Sequence, residues 1–160
     1  MKQTLYTVCS NEPLARQVFR MRLSGDTSAI TAPGQFVDLA LPGFFLRRPI
    51  SICDFDADSL TIIYKVVGKG TAALSRLAPG VELDALSGLG NGFDAQKSGE
   101  TPLLIGGGVG VPPLYALAKQ LLSQGKHPTA VLGFNKAEEV FYAEEFAHLG
   151  VRTVVCTADG

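Results

Sequence analysis

The sequence predicts a small antiparallel β-barrel or sandwich followed by an α/β domain. Short runs of alternating apolar residues, separated by turn residues, fill the chain up to about residue 95. From residue 101 the pattern changes to strand, glycine loop, helix and strand, which is typical of βαβ units in a parallel sheet. We therefore place a domain boundary between residues 1–97 and residues 98–160.

The composition argues against several classes of protein. Of the 160 residues, 46% are hydrophobic and 18% are charged, which is unlike a disordered chain. The formal net charge of −1 leaves no basic footprint for nucleic acid. No apolar run approaches the roughly 18 residues of a membrane span, and the N-terminus has no signal-peptide core. We therefore expect a soluble cytoplasmic protein with neither nucleic acid nor a membrane as its partner.

Four strand candidates precede residue 54 and are bounded by turn residues: Leu5–Ser10, Ala15–Leu23, Gly34–Leu41 and Pro49–Cys53. We expect the turn-forming triplet Asn11-Glu12-Pro13 to separate the first two. The third alternates, with Val37 and Leu39 on one face and Phe36 on the other. This alternation indicates a strand with one buried face.

Two more strands and one helix complete the first domain: Ser59–Val67, the helix Thr71–Leu77, and Val81–Leu86. The first of these contains Leu60–Tyr64, which is rich in β-branched and aromatic residues and therefore favours a strand. Pro79-Gly80 ends the helical stretch. Several short strands at close spacing are typical of a barrel or a sandwich.

The second domain alternates strands with helices. The strands are predicted at Pro102–Ile105, Thr129–Phe134 and Val151–Cys156, and the helices at Leu114–Ser123 and Glu138–Leu149. Three strands and two helices make about half of a nucleotide-binding domain, and half a sheet leaves an apolar edge uncovered. We therefore expect the chain to be a fragment of a longer protein. The alternative is a short protein whose edge is covered by a partner.

A glycine-rich loop follows the first strand of the second domain and contains Gly106, Gly107, Gly108 and Gly110. In a strand-to-helix turn, such glycines let the backbone approach a pyrophosphate closely, and the helix N-terminus adds free N–H groups. The alternative is a turn that only makes room for the helix to pack on the strand. The position between strand and helix favours the phosphate-binding interpretation.

Two motifs of the barrel offer polar groups to a ligand. Arg47 and Arg48 could match a phosphate bidentately, and Ser51 could offer its hydroxyl nearby. In the second motif Tyr64 could stack on a planar ring, and Thr71 is predicted to be the N-cap of the helix. Taken singly, the two motifs are better explained by solvated arginines, a cross-strand aromatic residue and an ordinary helix cap.

Together and in this order, the motifs resemble the ferredoxin–NADP reductase superfamily. The segments that carry the resemblance are GQFVDLALP, LRRPISI, IIYKVVGKGT, LSGLGNGF and LLIGGGVGVPPLYALA, and with them it covers essentially the whole chain. Within the superfamily the sequence is most similar to the electron transfer subunits of NAD-dependent (type B) dihydroorotate dehydrogenases. The resemblance implies a Greek-key, flavin-binding β-barrel followed by an α/β nucleotide-binding domain, which is truncated here.

The resemblance also implies the binding residues. FAD would be held by Arg48, Pro49, Ile50 and Ser51, by Ile63, Tyr64 and Lys65, and by Gly70 and Thr71. Arg48 would meet the pyrophosphate and Ser51 the flavin side. NAD would face Gly106, Gly107, Gly108 and Gly110, and the loop Leu89–Phe93 would lie close to the flavin. No catalytic acid or base is expected, because the flavin carries the chemistry.

The implied function is electron transfer in pyrimidine biosynthesis. Electrons from dihydroorotate, oxidised in an FMN-containing catalytic subunit, would pass through an iron–sulfur centre to FAD and then to NAD⁺. Two alternatives stay open. One is a flavin oxidoreductase subunit of the same superfamily linked to a hydrogenase or sulfide dehydrogenase, and the other is a cofactor-free binding or assembly subunit. Asn135-Lys136, where the ribose would be read, does not distinguish NAD from NADP.

The 2Fe–2S cluster that the resemblance implies has no ligands in this chain. Such a cluster needs closely grouped thiolates, whereas Cys9, Cys53 and Cys156 are far apart in the sequence. We expect the ligands to lie in a missing C-terminal part, and we expect no metal site in this chain. Cys53 is expected to be a small buried thiol, with a place near the flavin as the alternative. His127 and His148 are expected to face solvent.

Overall fold

The computed structural model describes residues 1–160, and the first half forms a closed antiparallel barrel with the strand order β1-β2-β5-β4-β3-β6. The six strands are β1 (Lys2–Ala15), β2 (Val18–Ser24), β3 (Phe36–Leu39), β4 (Arg48–Phe55), β5 (Ser59–Lys65) and β6 (Glu82–Leu89). A short helix, α1 (Lys69–Leu74), lies between β5 and β6. The predicted barrel is therefore confirmed.

The barrel is closed around the apolar faces that alternation predicts. Val37, Leu39 and Leu41 are buried, while Phe36 on the other face of β3 is only partly covered. Fifteen buried residues from all six strands, α1 and the connecting loops form this interior. Since successive side chains of a strand point to opposite faces, each strand contributes every second residue to the barrel core.

The predicted break at Asn11-Glu12-Pro13 is wrong, because β1 runs through it. Glu12 pairs with Arg20 and Pro13 with Phe19, and the chain reverses only at Gln17, whose φ is 59°. β1 pairs with β6 over residues 2–7 alone, so its later residues have a strand partner on one side only. A proline has no N–H to donate, and such a half-paired strand end tolerates it.

The second half is a parallel sheet of three strands in the order β7-β8-β9 with two helices. Its elements are β7 (Leu103–Gly107), α2 (Pro112–Ser123), β8 (Thr129–Phe134), α3 (Ala143–His148) and β9 (Arg152–Thr157). One face of the sheet is covered, and Leu104, Ala130 and Leu132 are buried there. On the opposite face, Leu103 and Ile105 are 59% and 68% exposed.

The helix predicted at Glu138–Leu149 is only six residues long in the structure. A 3₁₀ turn, Ala137–Glu139, precedes it, and Tyr142 has a left-handed backbone with a φ of 66°. Phe141 and Tyr142 are both buried, and their rings pack edge to face. In one regular helix, two successive residues would not share the buried face. Tertiary packing therefore overrides the helical preference of this segment.

The two halves share a continuous apolar core. A cluster of 17 buried residues includes Val18, Cys53 and Ile63 of the barrel together with α2, β8 and α3. α2 packs directly against β4, so this helix lies between the barrel and the sheet. The structure contains no helix that is both long and apolar enough to span a membrane.

Candidate functional site

An open groove of about 260 Å³ runs along one side of the barrel where β4 and β5 meet α1. Its walls are mainly apolar, with hydroxyl side chains and one amine among them. The lining residues are Pro49, Ile50, Ser51, Ile63, Tyr64, Lys65, Val67, Thr71 and Val109. The structure thus places seven of the residues predicted for FAD around one concavity, although they come from three separate segments of the chain.

The adjacent arginines before this groove have different surroundings. Arg47 is half-buried, and its guanidinium bonds the Asp84 carboxylate at 3.0 Å and two backbone carbonyls. Arg48 takes part in none of the ion pairs, and its Nη1 donates only to the carbonyls of Leu46 and Arg47. The Arg48 guanidinium lies over the Phe44 ring, 5.0 Å from its centre. Arg48 is therefore the arginine that is available to an anionic ligand.

Gly70 makes room for the Arg48 side chain. A Cβ atom added at Gly70 would lie 2.0 Å from Arg48 Nε and 2.5 Å from Cζ, well inside van der Waals contact. Gly70 does not have a positive φ, so backbone conformation does not require glycine here. The requirement comes from the close approach of the guanidinium to α1, which holds Arg48 at the edge of the groove.

Thr71 is not the N-cap of α1, contrary to the prediction. The N-cap is Gly68 in an extended conformation, and Thr71 is the third residue of the helix. Its Oγ1 accepts hydrogen bonds from the backbone N–H groups of Val67 and Gly68, at 2.9 and 3.2 Å. The helix begins two residues earlier than predicted because this hydroxyl can satisfy the preceding N–H groups from inside the first turn.

Tyr64 is a core residue of the barrel and not a free stacking platform. It is 3% exposed, stacks on Phe19 across the β2–β5 pair, and its hydroxyl donates to Asn11 Oδ1 at 2.8 Å. Burial raises the pKa of Tyr64 above its usual value. The cross-strand alternative given above is therefore the observed one, and little of the ring can reach a ligand in the groove.

A second and larger pocket, about 670 Å³, opens at the carboxyl ends of β7, β8 and β9. In open parallel sheets, this edge is where nucleotides bind. The lining residues are Lys65, Gly107, Gly108, Val109, Gly133, Phe134, Asn135, Glu139, Cys156, Thr157 and Ala158. Two of the predicted nucleotide-loop glycines, Gly107 and Gly108, line it directly.

The four loop glycines differ in what surrounds them. A Cβ at Gly106 would lie 2.8 Å from Leu114 Cδ1 and 3.0 Å from the Gly110 carbonyl, so Gly106 is required by packing against α2. At Gly107 the nearest atom is 3.8 Å away, and at Gly108 and Gly110 nothing lies within 4 Å. The protein's own packing therefore gives no reason for glycine at Gly107 or Gly110, whereas a ligand lying on this surface would.

The groove and the pocket meet at Lys65 and Val109, which line both. Val109 lies in the 3₁₀ turn Gly108–Gly110 and is 47% exposed. The Lys65 Nζ lies 3.9 Å from a carboxylate oxygen of Glu139. A ligand in the groove and a ligand in the pocket would thus be in contact with the same two side chains.

Several lining residues have no counterpart among the predictions, including Val67, Val109 and Glu139. Val109 could have been inferred, because it lies between two of the predicted glycines. Glu139 could not, because its place depends on a 3₁₀ turn in a segment that the sequence predicts as helix. The loop Leu89–Phe93 packs instead against residues 33–36, through Gly90 and Phe93, and does not line the groove.

The three cysteines are free thiols on three different strands. Cys9 and Cys156 are exposed, whereas Cys53 is buried at the junction of the two halves. Burial raises the pKa of the Cys53 thiol to about 12. No group of three or more histidine, cysteine or acidic side chains is arranged to hold a metal ion. His127 and His148 are exposed, as predicted.

No family model matches the chain, but a comparison with curated proteins finds close relatives. One, from Geobacillus sp. (strain WCH70), is 46% identical over 100% of this chain and 65% of its own length. Another, from Fusobacterium nucleatum subsp. nucleatum, is 41% identical over 96% of this chain and 62% of its own length. Both are named dihydroorotate dehydrogenase B (NAD(+)), electron transfer subunit. The chain therefore spans slightly less than two thirds of these relatives.

Solved structures have the same fold. An NADH-dependent reduced ferredoxin–NADP oxidoreductase, reported for flavin-based electron bifurcation, is 29% identical with a TM-score of 0.86. The match covers 97% of this chain and 57% of that one. Phthalate dioxygenase reductase is 20% identical with a TM-score of 0.81, covering 98% and 52%. The barrel and the adjoining parallel sheet are thus the architecture of this reductase group.

Proposed function

We propose that the chain belongs to the family of dihydroorotate dehydrogenase B (NAD(+)) electron transfer subunits and that it carries electrons from dihydroorotate oxidation through FAD to NAD⁺. The observation that carries the proposal is the contact between the barrel groove and the nucleotide pocket at Lys65 and Val109. Two redox cofactors that exchange a hydride need their reacting rings within van der Waals reach. In this chain two separate concavities open onto the same two side chains.

We assign the barrel groove to FAD. Its apolar walls at Pro49, Ile50 and Val109 suit a planar ring, and Ser51 offers a hydroxyl beside them. Arg48, which has no carboxylate partner, would pair with the pyrophosphate, because guanidinium matches phosphate bidentately. The other proposed FAD contacts are Ile63, Tyr64, Lys65, Gly70 and Thr71. Arg47 stays with Asp84 and supports the β3–β4 region.

We assign the pocket at the sheet edge to NAD. Gly107, Gly108 and Gly110 leave the loop surface open to the pyrophosphate, while Gly106 seats the loop on α2. The bound flavin supplies the hydride chemistry, and the residues of this chain place the two ligands against each other and exclude water between them. We retain residues 1–97 as the flavin domain and residues 98–160 as part of the nucleotide domain.

The electron source is the part of the proposal that lies outside this chain. The relatives are called electron transfer subunits, and we propose an FMN-containing dihydroorotate dehydrogenase subunit as the catalytic partner, with a cytoplasmic location. Cys9, Cys53 and Cys156 do not fit a 2Fe–2S cluster, because they do not come together in space. We therefore derive no step through such a cluster for these residues.

The test is FAD binding by the purified chain and by its Arg48→Ala variant. We expect the parent chain to bind one FAD, visible in its absorption spectrum and identified after release by chromatography. Loss of a charge-assisted contact of about 1.5–3 kcal/mol should weaken FAD binding by about tenfold or more in Arg48→Ala. Arg76→Ala is the matched control, since Arg76 is exposed and forms no ion pair, and it should bind FAD like the parent.

A chain that stays colourless and takes up no added FAD would contradict the assignment and favour a cofactor-free binding subunit. Equal FAD affinities for Arg48→Ala and Arg76→Ala would remove Arg48 from the site but leave the groove assignment open to its other residues. Reduction of the bound FAD by dihydroorotate in the presence of the dihydroorotate dehydrogenase subunit would establish the electron source. Hydrogen with a hydrogenase subunit, or sulfide with a sulfide dehydrogenase subunit, should then not reduce it.

A further inference from the structure

The connection between β8 and α3, residues 135–142, touches the barrel at three places, and we propose that this interdomain loop sets the position of the nucleotide pocket relative to the flavin groove. The inference rests on the proposed function, since it concerns the placement of the two ligands. Loops that connect a strand to a helix normally lie on the surface, and their sequences vary among homologues. This one instead presents an exposed ion pair, an ion pair at the site and a buried ring to the same neighbouring domain.

The two glutamates of the 3₁₀ turn pair with barrel cations. Glu138 Oε1 lies 2.9 Å from Arg16 Nη1, and Glu139 Oε1 lies 3.9 Å from Lys65 Nζ. The first pair is well exposed, so solvent screens it strongly. The second is more shielded, with side-chain exposures of 33% and 21%, and it lies where groove and pocket meet. The loop therefore reaches the proposed reaction site itself.

Tyr142 anchors the far end of the interdomain loop in the domain junction. The residue is 7% exposed, and its ring packs edge-on against Tyr115 of α2, with the ring centres 5.1 Å apart. It belongs to the same buried cluster as Cys53 of β4 and lines a surface pocket together with Arg20 of β2. The left-handed φ of 66° turns the chain so that this ring enters the junction.

The near end of the interdomain loop is tied to the sheet. The backbone N–H of Ala137 donates to both carboxylate oxygens of Asp159, each at 3.2 Å, and Asp159 follows β9. Asn135 and Glu139, one on each side of Ala137 in the chain, line the nucleotide pocket. The loop is thus fixed at one end to the strands that carry the pocket and along its length to the barrel that carries the groove.

Cys53 offers a readout of this contact that does not require a bound cofactor. In a Cys9→Ser, Cys156→Ser background it is the only thiol, and it is fully buried under the junction. A thiol reagent can therefore label it only when the two halves separate locally. The test variant is Glu138→Lys with Glu139→Lys, which turns both pairs into repulsions. The control, Glu100→Lys with Glu144→Lys, changes the net charge equally at two exposed, unpaired glutamates.

We expect Cys53 to be labelled about tenfold faster in the test variant than in the parent and the control, with unchanged circular dichroism. Adding Arg16→Glu should slow the labelling again, because one pair is then restored with reversed charges. With FAD bound, the test variant should show a lower limiting rate of flavin reduction by NADH at unchanged FAD content, since placement and not affinity is altered. If the test variant does not fold, Glu138→Gln with Glu139→Gln provides the same comparison with a smaller effect.

Equal labelling rates in the test variant, the control and the parent would overturn the inference, whether or not the chain binds FAD. An unchanged limiting rate of flavin reduction in a variant whose Cys53 is exposed would also overturn it, because separation would then not affect the reaction. Faster labelling in a chain that binds no FAD would refute the proposed function and leave only the contact itself. The two failures are thereby distinguishable.

Discussion

Arg47 and Arg48 are neighbours in the chain and occupy opposite electrostatic situations. Arg47 precedes β4 and Arg48 is its first residue, and one guanidinium turns to Asp84 while the other lies at the groove edge. The sequence identifies the pair but does not assign the two roles, since that depends on where β6 places Asp84. The same limit applies to Tyr64, whose ring is directed into the barrel by its pairing with Phe19.

At the scale of single residues, Gly70→Ala should separate ligand binding from stability. The new methyl group would displace the flexible Arg48 guanidinium, while the helical position favours alanine by up to about 1 kcal/mol. We expect an unchanged or slightly higher melting temperature and FAD binding weakened by about tenfold. Gly99→Ala, at a glycine with open space around it, is the control for both measurements. A lower melting temperature with parental FAD affinity would contradict this account of Gly70.

At the scale of elements, the glycine loop divides into a packing glycine and ligand-facing glycines. Gly106→Ala would press a methyl group against Leu114 and the backbone of Gly110 and Val111, and overpacking of this kind costs about 1–3 kcal/mol. In Gly107→Ala the new methyl group would make only an ordinary van der Waals contact, 3.8 Å from the Gly133 carbonyl oxygen, and the backbone φ there is −123°. We expect thermal unfolding to show a loss of stability in the first variant only.

For Gly107→Ala we expect the reverse of Gly106→Ala, because nucleotide binding should change and stability should not. A methyl group there stands on the surface that the pyrophosphate would approach, so NADH binding should weaken by about tenfold while the melting temperature is unchanged. Titration of the folded variant with NADH measures this directly. Parental NADH affinity in Gly107→Ala would mean that no ligand approaches this side of the loop, and the pocket assignment would then be wrong.

The elements show which parts of this molecule could be predicted from its sequence. The predicted strands are present because alternation is a local signal, and Val37 and Leu39 lie on the buried face as expected. The end of β1 and the start of α3 were mispredicted for non-local reasons. Pro13 is tolerated where β6 no longer pairs with β1, and Tyr142 leaves the helix because its ring is buried in the cluster shared by the two halves. Glu139 reaches the site through the same non-local packing.

At the scale of the whole molecule, the junction between the halves is part of the hydrophobic core. Cys53 and Ile63 of the barrel are buried together with residues of the second half, so the two halves are joined by a common buried cluster. The left-handed backbone of Tyr142 costs about 1–3 kcal/mol, and the burial of its ring in this shared core offsets that cost. Placement of the groove against the pocket is therefore a property of the assembled core.

The ionisation of the four tyrosines should report this shared core. Tyr6, Tyr64, Tyr115 and Tyr142 all have raised pKa values, and burial is the main cause for each. Burial likewise raises the pKa of Cys53 to about 12. The folded protein therefore holds protons that the unfolded chain releases, beginning near the ordinary values of about 8.5 for cysteine and about 10 for tyrosine. Below those values these groups contribute no pH dependence to the free energy of unfolding.

Above the ordinary pKa values of cysteine and tyrosine, the free energy of unfolding must fall as the pH rises, by up to about 1.4 kcal/mol per pH unit for each of these buried groups. We expect tyrosinate absorbance to appear together with the loss of far-ultraviolet circular dichroism in one alkaline transition. A tyrosinate signal with a midpoint near pH 10 in a chain that keeps its circular dichroism would show that the phenols are open to solvent. Such a result would contradict the shared core, because Tyr142 belongs to the junction and Tyr64 to the barrel interior.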